Sequence, residues 1–118
     1  MSYTAPAPSQ YMNKTVGDGS DVAYVRAVTI APPSTNWRPG TKVRNNHGLL
    51  TGTAIATFEA GQFHDHAAGT WAAIYLTQDE AGIRVLTQEV GHPVHEEVIP
   101  WSAPMHGQNS GDQFCVIE

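Results

Sequence analysis

Cysteine occurs once in these 118 residues, as Cys115, which excludes an intramolecular disulfide and any cysteine-based zinc site. Charge is scarce as well: Asp, Glu, Lys and Arg supply 14% of the chain, where about a quarter is usual. Positive charge is the scarcest, with six Lys and Arg against eleven Asp and Glu and a formal net charge of −5. Phosphate binding needs clustered cations, so nucleic acid is excluded as a partner. Only Arg38, Lys42 and Arg44 fall close together, and a solvated loop accounts for them. No apolar run approaches the ~20 residues that span a bilayer, so no membrane partner is expected. The opening Met1-Ser2-Tyr3-Thr4-Ala5-Pro6-Ala7-Pro8 lacks the basic and apolar stretches of a secretory signal. Export, if it happens, is expected through lysis, a specialised secretion machine or an assembled particle. No cofactor is implied, because no glycine-rich phosphate loop with Lys-Ser or Lys-Thr is present.

What is plentiful is glycine (11), proline (8) and apolar side chains (41%), the mixture of one β-rich domain with many turns. Residues 1–15, rich in Ala, Pro, Ser and Thr, have no periodicity and read as a flexible N-terminal arm; residues 16–118 form the domain. Ser20 or Asp21 caps a helix whose buried side is Val22, Val25, Ala27, Val28 and Ile30. Pro32-Pro33 stops it near Ile30 or Ala31. Pro39-Gly40 reads as a turn. Strands are expected over residues 52–58, 71–76, 83–88, 94–99 and 113–117, with residues 77–82 as a polar hairpin turn and residues 102–112 as a loop. The expectation is an α+β fold, an N-terminal helix on an antiparallel sheet of about five strands.

Several of these stretches resemble one known family. They are Gly17-Asp18-Gly19-Ser20-Asp21-Val22-Ala23-Tyr24-Val25, Trp37-Arg38-Pro39-Gly40, Gly52-Thr53-Ala54-Ile55-Ala56-Thr57-Phe58, Gly69-Thr70-Trp71-Ala72-Ala73-Ile74-Tyr75-Leu76 and the closing Gly111-Asp112-Gln113-Phe114-Cys115-Val116-Ile117-Glu118. In this order they resemble the small amidase-like proteins of the papain-fold clan, relatives of the CHAP and NlpC-type peptidoglycan hydrolases. The resemblance implies a papain-like fold. It also implies a nucleophilic Cys at a helix start, a His at a strand start and a third polar group on the next strand. In this chain those places hold Asp21, Trp71 and Thr87. A carboxylate is not a thiolate and an indole cannot shuttle a proton near neutral pH, so the resemblance speaks for the fold and against acyl transfer.

Other chemistry is weaker. Cys115 lies in an apolar strand and reads as a buried, inert thiol. Asp21 with Glu89 could form a carboxylate pair, but a helix-capping role explains Asp21 more simply. Trp71 is expected to fill the cleft beside it, or to offer a stacking platform with Asp21, Thr87 and Glu89 around it. His64 and His66 share one side of an extended segment and His92 and His95 lie elsewhere, so no metal site is expected. Glu96-Glu97 reads as a solvated edge.

The expectation is therefore a pseudoenzyme, not an enzyme: a structural or binding protein on a degenerate amidase scaffold. A phage virion accessory subunit such as a capsid decoration protein would suit it, docking through its arm onto a protein partner or further copies of itself. The alternatives are a peptidoglycan amidase or endopeptidase effector and a pseudoenzyme that binds wall fragments.

Overall fold

The computed structural model describes residues 2–63, 70–101 and 110–118. The expectations for His64, His66 and residues 102–109 of the expected 102–112 loop lie outside those residues. Helix α1 spans Asp21–Val28, with Ser20 as N-cap; its side chain accepts from the Ala23 amide at 3.2 Å. The helix ends earlier than Pro32 alone requires. Thr29 turns extended, and both its amide (3.1 Å) and its hydroxyl (2.8 Å) donate to the Val25 carbonyl. That early stop corrects the expected buried side: Ile30 is 89% exposed and Ala27 is exposed, whereas Tyr24 is fully buried. Each helical residue turns the side chain by ~100°, so Val22, Tyr24, Val25 and Val28 share an arc that Ala27 leaves.

Six strands form one antiparallel sheet in the order β1-β6-β2-β3-β4-β5. They are β1 (Pro39–Lys42), β2 (Ala54–Thr57), β3 (Ala72–Asp79), β4 (Gly82–Glu89), β5 (His92–Ile99) and β6 (Phe114–Ile117). The strand beyond the expected five is β1, at Pro39-Gly40. Proline has no amide to donate, but the first residue of an edge strand needs none. The expected six-residue hairpin turn is shorter. Asp79 pairs with Gly82, and Asp79 Oδ1 accepts from the Ala81 amide at 2.8 Å. Gly82 has φ +146°, and a Cβ there would lie 2.1 Å from the Ile99 carbonyl oxygen, so only glycine fits.

Both faces of the sheet are buried, which is why its central strands are apolar without alternation. On one face Ala54, Ala56, Ala72, Ile74 and Leu86 pack against Val22, Tyr24, Val25 and Val28 of α1 and against Trp37. On the other, Ile55, Ala73, Tyr75, Ile83, Val85, Ile99 and Phe114 pack with Val43.

The N-terminal segment is no free arm. The Tyr3 carbonyl accepts from Ala54, the Ala5 amide donates to Gly52, and Asn13 and Lys14 exchange bonds with Val94 at 2.9 Å each. Ala5 is 3% exposed, and the Tyr24 hydroxyl donates to the Pro8 carbonyl. Backbone groups beside β2 and on edge strand β5 need partners, and this segment supplies them from its own chain. The boundary expected at residue 15 is thereby crossed by hydrogen bonds.

Candidate functional site

The first turn of α1 meets the start of β3. Asp21 Oδ1 accepts from its neighbour Val22 at 2.9 Å, and Oδ2 accepts from the Ala72 amide at 2.7 Å. The Ala72 carbonyl in turn accepts from the Thr87 hydroxyl at 3.0 Å. Thr57 Oγ1 accepts the Trp71 amide at 2.8 Å, and the Thr57 amide donates to the Trp71 carbonyl at 2.9 Å. Asp21 and Thr87, 66 positions apart in the sequence, thus grip one residue between them.

Trp71 and Glu89 stand differently from the expectation. The Trp71 indole packs against the cluster containing Ala73, Val85 and Ile99, the face α1 does not occupy. It borders a small cavity of about 60 Å³ with Ala73, Thr87, Glu97, Ile99 and Phe114. Trp71 therefore does not plug a cleft beside Asp21; only its backbone takes part in that junction. Glu89, half-buried, ends β4 opposite His92 and does not line this cavity.

One residue escaped sequence reasoning. Gln88 is fully buried; its Nε2 donates to the carbonyls of Val16 (2.8 Å) and Ser20 (2.7 Å), and its Oε1 accepts from Val16 at 3.0 Å. The available signal was a long amide directly after Leu86-Thr87 in a strand expected to be core, where burial demands partners.

Cys115 lies on β6 opposite Lys42 and Ala56, 8% exposed, and burial pushes its thiol pKa up against a weaker pull from Lys42. It is neither at a helix start nor beside Asp21's amide partner. His95 Nδ1 donates to the Pro93 carbonyl at 2.8 Å and Nε2 meets Glu97 Oε1 at 3.0 Å. A carbonyl and a carboxylate accept, so both partners favour the doubly protonated ring. Its pKa is raised, first by the Pro93 bond and then by Glu97, against partial burial. Glu96, expected to be merely solvated, pairs with Arg84 at 2.9 Å. Among the described residues no three His, Cys, Asp or Glu side chains converge as metal ligands.

Comparison with known proteins supplies the family. The sequence model described as domesticated amidase effector 2 matches residues 1–117. A type VI secretion amidase effector 2 protein of Salmonella typhi is 40% identical over 55 residues, 47% of this chain and 41% of that protein. The chain thus spans about four tenths of the length of this curated relative. A solved structure, type 6 secretion amidase effector 2, superposes with a TM-score of 0.83 over 98% of this chain and 93% of its own. At 24% identity that match shows the fold alone. These findings overturn the expected pseudoenzyme and virion accessory subunit, because the matched proteins are named amidase effectors and none is named as a capsid component. Capsid and self-association partners fall with that reading. The match over residues 1–117 also runs through the stretch read as an arm, and the chain belongs to the domesticated amidase effector 2 family.

Proposed function

We propose that this chain is an amidase effector that hydrolyses peptide amide bonds of bacterial peptidoglycan, with the scissile amide presented where α1 meets β3. The observation that carries the reading is the Asp21 Oδ2–Ala72 bond of 2.7 Å, which places an ionisable side chain between a helix start and a strand start in a chain of this family.

Hydrolysis of an amide needs a nucleophile, a proton acceptor and a way to hold developing negative charge. Among the described residues no cysteine stands at this junction, Cys115 being on β6, so the proposed reaction proceeds without a thioester. Asp21 is the proton acceptor there. A carboxylate is a proton acceptor and can take a proton from an attacking water. That water's oxygen bonds to the amide carbon, the C–N bond breaks, and the proton passes to the departing nitrogen. The positive end of α1 lies nearest the charge that develops. A general base of this kind contributes ~10²–10⁴-fold. Thr87 fixes the Ala72 carbonyl and so the orientation of the strand start.

The test is incubation of purified sacculi with the protein, followed by chromatography of released muropeptides. New fragments are expected, unaffected by prior alkylation of Cys115 and lost in Asp21→Asn. Sacculi left intact at high enzyme concentration would refute the reading, and fragments abolished by alkylation would refute the role of Asp21.

A further inference from the structure

We infer that Gln88 is the positioning residue of the α1 start, pinning both ends of the 16–20 turn so that Asp21 meets Ala72. As a statement about turnover it rests on the amidase reading above; as a statement about where α1 begins it does not.

The turn is made of residues with little conformational restraint. Gly17 (φ +56°) and Gly19 (φ +88°) both occupy the left-handed region, where glycine is free to move on either side of zero. Within it, the Gly19 amide donates to Val16 and Asp18 Oδ1 accepts from Ser20 at 2.9 Å, both local bonds. The helix that follows has eight residues, too few to hold its own start in water without tertiary anchors.

Gln88 provides such an anchor from β4. Its two amide hydrogens go to Val16 and Ser20, the residues that open and close the turn, and its oxygen returns a bond to Val16. The side chain is fully buried, and no buried side-chain nitrogen or oxygen among the described residues lacks a partner. Thr87, the preceding residue, holds the Ala72 carbonyl. The dipeptide Thr87-Gln88 therefore grips both halves of the junction, the strand start through one side chain and the helix start through the other. A glutamate at 88 has nearly the same shape but, once ionised, accepts only, and it would face two carbonyl oxygens. A loss of placement near 1 Å costs roughly 10²-fold in rate.

Two measurements on Gln88→Glu test this. Muropeptide release at neutral pH is expected to fall about 100-fold in kcat with KM changed less than about twofold. Lowering the pH until the new carboxyl is protonated restores one donor, so the variant recovers part of that loss relative to wild type. Wild type at each pH corrects for Asp18 and Asp21. In amide exchange, Val22 and Ala23 are expected to open at least about tenfold faster in the neutral variant while the β3–β4 ladder keeps its protection. Unchanged kcat and unchanged exchange would overturn the inference, as would a loss that protonation does not relieve. Should the variant not fold, exchange in wild type decides: Val16 is expected to be protected like a ladder amide, and free exchange there removes the Gln88 bond. Intact sacculi with wild type would sink the amidase reading alone, since the exchange data would still decide the role of Gln88.

Discussion

Asp21 and Ala72, 51 positions apart, are joined by a 2.7 Å bond from the strand's first amide to the helix's first carboxylate. The same carboxylate caps Val22, so one side chain satisfies two backbone donors where α1 and β3 touch. Asp21→Ala leaves both without that acceptor. Loss of a helix-terminal carboxylate and of a partly buried acceptor is expected to cost ~1–3 kcal/mol. Thermal and urea unfolding would show it as a melting point several degrees lower with an unchanged m-value. A variant as stable as wild type would mean that the Ala72 bond contributes nothing.

Gly82→Ala is expected to be among the most damaging single-methyl changes in the chain. A Cβ at φ +146° is strained, and it would sit 2.1 Å from the Ile99 carbonyl oxygen, which belongs to the backbone and cannot swing aside. The cost is expected to exceed about 2 kcal/mol, and urea denaturation measures it. The hairpin between β3 and β4 would open first, which amide exchange at Ile83 would report.

The pH dependence of stability should carry a contribution from His95. Its pKa is raised by the Pro93 carbonyl and by Glu97, with Glu89 adding a weaker pull at longer range. The folded state therefore holds this proton more tightly than the unfolded chain. That contribution is complete below the ordinary value of 6.5 and disappears as the pH rises through the higher folded value. The side chain is 33% exposed and solvent screens the pair, so the effect is expected to be ~1 kcal/mol or less. Unfolding free energies of wild type and His95→Gln, compared across this range, should differ on the acid side and converge on the alkaline side. NMR titration of the ring should give a midpoint above that of a model imidazole; a midpoint at or below it would show that Pro93 and Glu97 do not favour the protonated ring.

Much of this architecture is legible in the residues, and the exceptions have physical causes. Ser20 reads as a cap because a short hydroxyl before an apolar period has one obvious use, and the later strands read from apolar runs punctuated by glycine. Pro39-Gly40 reads as a turn because edge strands tolerate what central strands forbid. The N-terminal segment shows no period because it is not a helix or a strand: backbone bonds and irregularly spaced contacts of Tyr3, Ala5, Tyr11 and Met12 hold it. Trp71 precedes β3 by one residue and keeps its alternation, sharing with Ala73 and Tyr75 the face that α1 does not occupy. The residue types at Asp21, Trp71 and Thr87 speak against a thiolate mechanism, whereas the family match runs over residues 1–117 and overturns the pseudoenzyme expectation that those three residues raise. Gln88 was hidden by its neighbours, since a polar residue in an apolar strand looks like an exception until its carbonyl partners are visible.

Thiol chemistry can be tested independently of wall hydrolysis. Cys115 is buried in β6 and its thiol pKa is raised, so little thiolate exists near neutral pH. Reaction with a chromogenic disulfide should be slow in the native state and fast in urea. Cys115→Ala should leave muropeptide release within about twofold, at a packing cost of ~1 kcal/mol or less. The complementary change is Asp21→Cys with Trp71→His. A cysteine at the α1 start meets the helix dipole, but an imidazole at 71 would start from the face α1 leaves empty. Release by this double variant is therefore expected to be lost with Asp21, and iodoacetamide-sensitive release above the wild-type level would show that position 71 does reach the helix start. The variant removes the Trp71 indole from the cluster that contains Ala73 and Val85, so its stability has to be measured alongside. A folded double variant no faster than wild type would show that position 71, whose side chain packs on the face α1 leaves empty, cannot deliver a base to the helix start.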